Sequence, residues 1–188
     1  TLLSAATSHC ATAAEAPFRW VDDPAAGTCD LFLGDQPVLR YMYSTDSSTK
    51  EKAIIHSRAY HHVYGPGTNT LITNGPEGLY PHHRGLFVGW TRTTFDGKTE
   101  NFWGSSGGET QRHVKFIDRT ADGNRGKMTT LIQWNDRDGK LVLEEERTVE
   151  ARRLPTDTPP GYGWIIDWST VLTSKRGKIE LDGDRQHA

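Results

Sequence analysis

Turn residues recur at short intervals along this chain, and that recurrence constrains the fold more than any other feature. From Phe18 onward, clusters of Gly, Asp and Asn separate short runs rich in Val, Ile, Thr and aromatic residues, which is the pattern of strands joined by tight turns. No segment carries a sustained helical period of apolar residues. We therefore predict an all-β protein, an antiparallel β-sandwich. The predicted strands are 28–33, 38–43, 86–94, 113–118, 128–135, 141–151, 164–173 and 178–181, with loops at 44–52 and 155–163.

The core of this sandwich is expected to come from the apolar residues of those strands. The acidic run at 144–146 lies on a strand, where successive side chains point to opposite faces. We therefore predict a mostly solvated run, with Glu145 or Arg147 in an ion pair. The predicted core residues are Leu86, Val88, Ile132, Val142, Ile166 and Val171, together with the indoles of Trp134, Trp164 and Trp168.

Length and charge limit the class of protein. A chain of 188 residues is long enough for one hydrophobic core, and its length indicates one domain. Its net charge of -2 gives no basic field that would attract nucleic acid or an acidic membrane surface. Charged residues are spread along the chain, so no run of about 20 apolar residues is available to span a bilayer. We expect neither a nucleic-acid partner nor a membrane span.

The first 16 residues differ in character from the rest. Residues 1–16 are mostly small and weakly apolar, and they end in an Ala-x-Ala motif, which is typical of the tail of a secretory signal peptide cleaved after Ala16. We predict a signal-peptide remnant at 1–16, a domain at 17–188, and a secreted or periplasmic location. Cleavage would leave Cys29 without a partner for an intrachain disulfide.

The segment 78–90 places two imidazoles and a guanidinium directly before an apolar run that is typical of a buried strand. If Pro81 opens that strand, His82 and Arg84 share one face and His83 takes the other. The two histidines would then serve one ligand only if the segment bends. The structural alternative is that both are polar residues at a strand start, with Arg84 paired to a carboxylate.

Three strings in the chain, 80–90, 101–104 and 181–188, resemble the PmoA-like family, a family of secreted bacterial proteins of uncertain function. The resemblance spans about 18–188. It implies a β-supersandwich of the galactose-mutarotase type, and members usually continue past the Gly-Asp-x-Gln-His segment. We therefore expect this chain to be the N-terminal part of a longer protein. The family's label of methane oxygenase does not fit, because no segment here is able to cross hydrocarbon.

Several side chains in these strings are suited to chemistry. Imidazoles and carboxylates brought together from separate strands suit either proton transfer on a sugar ring or binding of a divalent metal. We predict His82 and His83 as acid/base or ligand groups, and Arg84 as the group that fixes an acidic or oxygen-rich substrate. The predicted substrate-binding residues are His62, Trp90, Trp103, His113 and His187.

Structural roles remain open for several of these residues. His61 and His62 suit a loop surface as well as a site, and His113 suits a core or an edge strand. Trp103 enters the Gly/Ser-rich loop 104–108, so we expect it at the rim of a pocket.

A metal is a further possibility that the spacing does not decide. The ligands would be His82 or His83 with Asp184 and His187, close to Asp182. The strong zinc signature His-Glu-x-x-His is absent. The sequence therefore specifies no cofactor, although a divalent metal stays compatible with it.

Taken with the resemblance, these residues favour a secreted carbohydrate-active enzyme, which would be a lyase, a hydrolase or an epimerase acting on a sugar ring. The alternative is a non-catalytic glycan-binding module that uses the same surface. Nucleotide chemistry is disfavoured because loop 104–108 lacks the lysine and the following helix of a phosphate-binding loop. The sugar itself is not identified by the sequence.

Overall fold

The computed structural model describes residues 17–77, 79–155 and 163–183. Strands and isolated bridges account for 53% of the described residues and helix for 4%, and the strands form three antiparallel sheets. The prediction of an all-β antiparallel sandwich is therefore confirmed. The described elements are β1 (Phe18–Asp23), β2 (Thr28–Leu33), β3 (Gln36–Met42), α1 (Lys50–Ile55), β4 (Tyr60–Val63), β5 (Arg92–Phe95), β6 (Lys98–Glu100), β7 (Thr110–Ala121), β8 (Arg125–Asn135), β9 (Leu141–Arg153), β10 (Trp164–Ser174) and β11 (Glu180–Asp182).

Two four-stranded sheets and one small three-stranded sheet contribute to the core. The first has the order β1-β2-β3-β4, the second β10-β9-β8-β7, and the small one β11-β5-β6. Leu31 and Val38 of the first sheet pack in one buried cluster with Val149 and Ala151 of the second. The sheets approach closely where Gly126 faces Leu31, because a Cβ at Gly126 would collide with the Leu31 side chain. That clearance explains a glycine inside β8.

The second half of the core is aromatic. Trp134 is fully buried at the centre, with Phe102 and Trp90 packed against its indole. Met128 and Ile132 complete this cluster on β8, beside Trp134 on the same strand. Since the small sheet contributes Phe95 to the same cluster, all three sheets share one apolar interior.

A charged pair lies inside this interior. Glu145 and Arg147 of β9 are both fully buried, and the Arg147 Nε donates to Glu145 Oε1 over 2.6 Å. The indole Nε1 of Trp134 and the hydroxyl of Thr170 also donate to the Glu145 carboxylate, at 2.9 Å each. The second guanidinium arm reaches Ala59, whose carbonyl accepts from Arg147 Nη1 at 2.9 Å. The predicted ion pair is confirmed, and it joins the second sheet to the chain just before β4.

The predicted core is confirmed in part. Ile132 and Val142 are fully buried, as is Trp134, whereas Leu86, Val88, Ile166, Trp164 and Trp168 are partly buried against the core. Val171 is 61% exposed, so its assignment to the core was wrong. The reason is the alternation on β10, which turns Trp168 and Leu172 inward and leaves Val171 on the outer face.

Two local predictions were also wrong. The segment 86–91 is not a strand: Leu86 makes a single bridge to His61, and β5 begins only at Arg92. The short helix α1 occupies part of the segment predicted as a loop, with Thr49 as its N-cap accepting from the Lys52 amide at 3.2 Å. One turn of helix carries too few residues to show an apolar period.

Within the described residues, no helix is long and apolar enough to cross a membrane. The only helix described there, α1, has six residues and no buried side chain. The expectation of no membrane-spanning helix is consistent with this finding.

Removing one member of the buried ion pair should be strongly destabilising. We expect Arg147→Met to lower the free energy of unfolding by about 3–5 kcal/mol, because it leaves the Glu145 carboxylate buried and unpaired. The double variant Glu145→Gln with Arg147→Met should lose less than the single variant. Urea unfolding followed by tryptophan fluorescence measures both.

The matched control lies on the same strand. Arg152 pairs with Asp167 at 3.2 Å, with both side chains about half exposed, so Arg152→Gln should change the free energy of unfolding by only about 0–1 kcal/mol. Equal losses in Arg147→Met and Arg152→Gln would show that the buried pair does not organise the fold.

Candidate functional site

The histidine segment bends, and the bend brings its two imidazoles together. The His83 amide donates to the Tyr80 carbonyl at 2.9 Å, which closes a turn over 80–83. The ring centroids of His82 and His83 are consequently 4.4 Å apart. The alternating placement predicted for a strand therefore does not occur, and one ligand is able to contact both rings.

Gly85 fixes where this turn sits. Its φ is +31°, and a Cβ there would collide with the His61 carbonyl. Its amide donates to the Asn74 carbonyl at 2.9 Å, and the next residue, Leu86, pairs with His61. Only glycine allows so close an approach of the backbone to β4. The turn is thus held against the first sheet immediately beside the next candidate, His62.

Trp103 faces the same surface, as expected for a residue at a pocket rim. Its ring centroid lies 5.8 Å from that of His83 and 6.2 Å from that of His82. Phe87 stacks on Trp103 at 5.3 Å. The Trp103 amide donates to the Trp90 carbonyl at 3.0 Å, so backbone pairing holds the two segments together. The result is an aromatic platform flanked by two imidazoles.

Arg84 does not have the role predicted from the sequence. Its Nε donates to the Pro81 carbonyl at 2.6 Å, and its Nη atoms donate to the carbonyls of Ile54 and Ile55. Those last two carbonyls belong to the C-terminal turn of α1, where backbone acceptors lack helical partners. Arg84 is therefore a buried link between α1 and the histidine turn. Among the described residues it pairs with no carboxylate, and it lines the depression beside the histidine turn.

Trp90 also lies elsewhere than predicted. It packs against the core, with its ring centroid 6.0 Å from that of Trp134. The apolar run around Trp90 is as typical of a core residue as of a sugar platform, and the structure shows Trp90 partly buried against the core. His61 is likewise interior: it is fully buried and stacked on Tyr41 at 4.6 Å.

The strand β4 and the residues before it supply a cavity that the sequence reasoning largely missed. Arg58, Tyr60 and His62 alternate along the chain, and all three line a cavity of about 300 Å³. The His62 Nδ1 lies 2.9 Å from the hydroxyl of Thr73, and the rings of Tyr60 and His62 meet edge to face at 5.0 Å. His62 was predicted from its residue type. The signal for Arg58 and Tyr60 was their alternation with His62 at the start of a strand.

Burial sets the protonation of these groups. Burial, reinforced by the charge of Arg40, lowers the pKa of His62, so its imidazole is neutral at neutral pH. Burial raises the pKa of Tyr60 to about 12, which keeps its hydroxyl protonated. Burial and the nearby Arg84 lower the pKa of Arg58, but a guanidinium remains a cation in proteins. The cavity therefore combines a neutral base, a weak acid and a fixed positive charge.

Three further depressions share lining residues with this cavity or with one another, and we call the series the imidazole groove. Beside it, across the shared wall residue Thr73, lies a depression of about 370 Å³ lined by His83 and Phe87. Across Trp103 follows one of about 500 Å³ that is lined by His82. On the other side, Ser44 is shared with a depression of about 320 Å³ lined by Asp46 and His113. The groove thus contains six predicted site residues: His62, His82, His83, Arg84, Trp103 and His113.

His113 lies on β7, the edge strand of its sheet, as one alternative had it. Its Nδ1 is 3.1 Å from the Tyr41 hydroxyl, and its ring packs against Tyr43 and Phe116. Burial lowers the pKa of His113 to about 4, an effect partly offset by Asp22. The residue is therefore a neutral hydrogen-bonding partner at the end of the groove.

The proposed metal ligands are not assembled in the part of the chain that is described. His187 and Asp184 lie outside the described residues, and Asp182 pairs with Arg92 at 2.7 Å on the small sheet. Among residues 17–77, 79–155 and 163–183, no group of three or more His, Cys, Asp or Glu side chains is placed to hold a metal ion. His82 and His83 alone offer two nitrogen ligands.

Comparison with known proteins gives one match. The model of a family of unknown function, DUF6807, matches residues 28–187. No curated protein matches the chain, and no solved structure does.

The depressed pKa of His113 makes stability depend on pH. An unfolded chain takes up a proton at this imidazole below about pH 6.5, whereas the folded protein does so only near pH 4. The free energy of unfolding should therefore fall as the pH drops through this window. His113→Gln keeps an acceptor for Tyr41, and its free energy of unfolding should fall less steeply as the pH drops. Urea titrations of both proteins at intervals of about one pH unit, from about pH 7 to about pH 4, measure this fall. Identical slopes for the two proteins would refute this origin of the acid sensitivity.

Proposed function

Because the chain belongs to the DUF6807 family, whose function is unknown, only its own site can suggest an activity, and we propose that it is a carbohydrate-active enzyme. The glycan would lie along the imidazole groove, and the reaction would be lysis, hydrolysis or epimerisation at a sugar ring. The observation that carries this proposal is the alignment of His62, His83 and His82 along one groove with Trp103 between two of its depressions.

The groove suits a chain of sugar rings in shape and in chemistry. Its adjoining depressions form an extended series, which fits a linear oligomer better than a compact ligand. Trp103 and Phe87 present apolar ring faces on which the C–H faces of a sugar can pack. The imidazoles beside them offer hydrogen bonds to hydroxyl groups. Apolar contact with a few convergent polar groups is the usual composition of a ligand site.

Proton transfer is the chemistry that these side chains favour. A neutral imidazole accepts a proton at neutral pH, and a general base works best when its pKa lies near the operating pH. His62 is the most enclosed imidazole of the groove, being only 5% exposed, while His82 and His83 line the more open part. We therefore assign acid/base roles to these three residues, and Arg84 is withdrawn from the catalytic set.

A non-catalytic glycan-binding module is the second candidate. The exposed position of His83 favours it, because a general base usually works in a site shielded from water. In that case the imidazoles would only donate and accept hydrogen bonds, and the aromatic platform would supply the affinity.

We further propose that the protein is exported and related to the PmoA-like proteins. The support is the Ala-x-Ala pattern ending at Ala16 and the strings at 80–90 and 101–104. N-terminal sequencing of the protein recovered from a bacterial periplasm or culture medium should give a first residue of Pro17. Recovery from the cytoplasm alone, with residues 1–16 intact, would contradict export.

Substitution of the groove imidazoles separates the two functions. Against a panel of plant and algal oligosaccharides, loss of a general acid or base should lower turnover by about two to four orders of magnitude. We expect at least one of His62→Gln, His82→Gln and His83→Gln to show this loss with little change in binding. Trp103→Ala should weaken binding, and Trp103→Phe should restore most of it.

The control is Arg152→Gln, which removes an exposed ion pair on the opposite sheet and should leave turnover unchanged. Binding of a glycan without turnover by the wild-type protein would support the binding module. Turnover that none of the three imidazole variants alters would show that the active site lies elsewhere.

A further inference from the structure

Arg58 is a buried cation to which the described part of the chain offers no hydrogen-bond partner. Its side chain is 2% exposed, and its Nε, Nη1 and Nη2 atoms have no partner among the described residues. Its guanidinium lies 4.4 Å over the ring of Phe87. A buried charge is costly unless it is paired, so an arginine placed in this way calls for an anion.

The charged neighbours of Arg58 do not supply that anion. Arg84 repels it, and Glu109 attracts it only from a distance. The Glu109 carboxylate is already engaged, since it accepts from the amides of Asn101 and Gly107 and pairs with Arg137. Arg58 lines the cavity at β4, and its guanidinium nitrogens are covered by neighbouring atoms. A ligand that enters this cavity would reach them by displacing the covering side chains.

The cavity favours a carboxylate among the possible anions. The planar fork of a guanidinium matches a carboxylate with two parallel hydrogen bonds. Arg58 is the one arginine of the described cavity wall, and the same wall carries the Glu77 carboxylate. A singly charged ligand therefore balances this site better than a phosphate group, which carries nearly two charges at neutral pH.

Two groups suited to proton transfer stand beside Arg58 on the same side. Tyr60 and His62 follow it at alternate positions and line the same cavity. The His62 Nδ1 is occupied by Thr73, which leaves Nε2 to meet a substrate. A substrate that bears a carboxylate would thus contact the Arg58 cation, the His62 base and the Tyr60 acid from one side of the cavity.

We propose that Arg58, Tyr60 and His62 form a subsite for the carboxylate-bearing ring of an acidic sugar and cleave its chain by β-elimination. This inference rests on the proposed function and names its substrate class. Arg58 would bind the carboxylate and stabilise the charge that develops on it in the transition state. The platform at Trp103 and Phe87 would hold the adjoining rings of the chain.

The proposed reaction needs no other reactant. His62 Nε2 takes the proton from the ring carbon that bears the carboxylate. The electron pair left behind forms a double bond to the neighbouring ring carbon, whose bond to the glycosidic oxygen breaks. The Tyr60 hydroxyl donates its proton to that oxygen. The products are an unsaturated ring on one fragment and a free hydroxyl on the other, and proton transfer from His62 to Tyr60 restores the site.

The one-sided arrangement distinguishes elimination from the other reactions. Epimerisation requires a proton donor on the opposite face of the sugar ring, whereas Tyr60 and His62 meet edge to face on one side of the cavity. Hydrolysis of glycosides generally uses a pair of carboxyl groups, and Glu77 is the one carboxylate of the described cavity wall.

The test compares uronate oligosaccharides with their neutral counterparts. Oligomers of galacturonate, glucuronate and mannuronate are incubated with the full chain beside oligomers of galactose, glucose and mannose. Ultraviolet absorbance and mass spectrometry detect the unsaturated product, whose mass lacks the water that hydrolysis would add. We expect unsaturated product from at least one uronate series and none from the neutral series.

Variants then assign the roles. His62→Gln and Tyr60→Phe should lower kcat by about two to four orders of magnitude, with little change in KM. Arg58→Gln should lower kcat/KM for uronates while leaving the affinity for neutral oligosaccharides unchanged, and Arg58→Lys should recover part of the loss. Trp103→Ala should weaken the binding of both series.

A second measurement guards against variants that fail to fold. Monomeric galacturonate should raise the melting temperature of the wild-type protein, because a ligand bound to the native state stabilises it. Galactose and inorganic phosphate should not raise it. Equal stabilisation by phosphate would overturn the assignment to acidic sugars.

The outcomes separate this inference from the proposed function. Hydrolytic products, or turnover of neutral glycans that Arg58→Gln leaves unchanged, would overturn the elimination subsite but leave a carbohydrate-active enzyme. Absence of any glycan binding or turnover would overturn both.

Discussion

The buried pair of Glu145 and Arg147 is the interaction on which the site depends. One arm of Arg147 binds the carboxylate of its own strand, and the other reaches the carbonyl of Ala59. Ala59 lies between Arg58 and Tyr60, so this hydrogen bond, together with the backbone pairing of Ala59 with Gln111, fixes the backbone from which two cavity residues project. An interior charge costs free energy unless it is fully paired. Here its pairing also sets the position of a functional strand relative to the opposite sheet.

The structure describes three buried arginines, Arg58, Arg84 and Arg147. The number of hydrogen-bond partners distinguishes their roles. Arg147 satisfies a carboxylate and a carbonyl, and Arg84 satisfies two carbonyls at the end of α1 and that of Pro81. Arg58 satisfies neither kind of group among the described residues. Residue type alone predicts charge and size, whereas the use of that charge depends on which backbone acceptors lie within reach. This is why Arg84, the more conspicuous residue in the sequence, is structural, and Arg58 is the better candidate for a ligand.

The sequence predicted the parts of the structure whose information is local. The long strands β8, β9 and β10 follow apolar alternation and were placed close to their actual bounds. The histidine turn was not predicted, because the contact of Gly85 with the His61 carbonyl joins residues far apart in the chain. Residue type singled out His62, His82, His83 and Trp103, and the structure placed them in one groove. Arg58 was not predicted, because the sequence alone does not distinguish a buried charge from a surface charge.

The imidazole groove is built from two kinds of segment, a paired strand and irregular segments. Tyr60 and His62 stand on β4, which is paired into a sheet, whereas Phe87 and Trp103 come from irregular segments held by turns and backbone pairing. Residues in the irregular segments therefore contribute less to the stability of the fold than residues on β4. Substitutions that change ligand preference can accumulate in the irregular segments while the proposed chemistry on β4 is retained. Ligand specificity and catalytic chemistry would therefore be able to change independently, in natural evolution or by protein engineering.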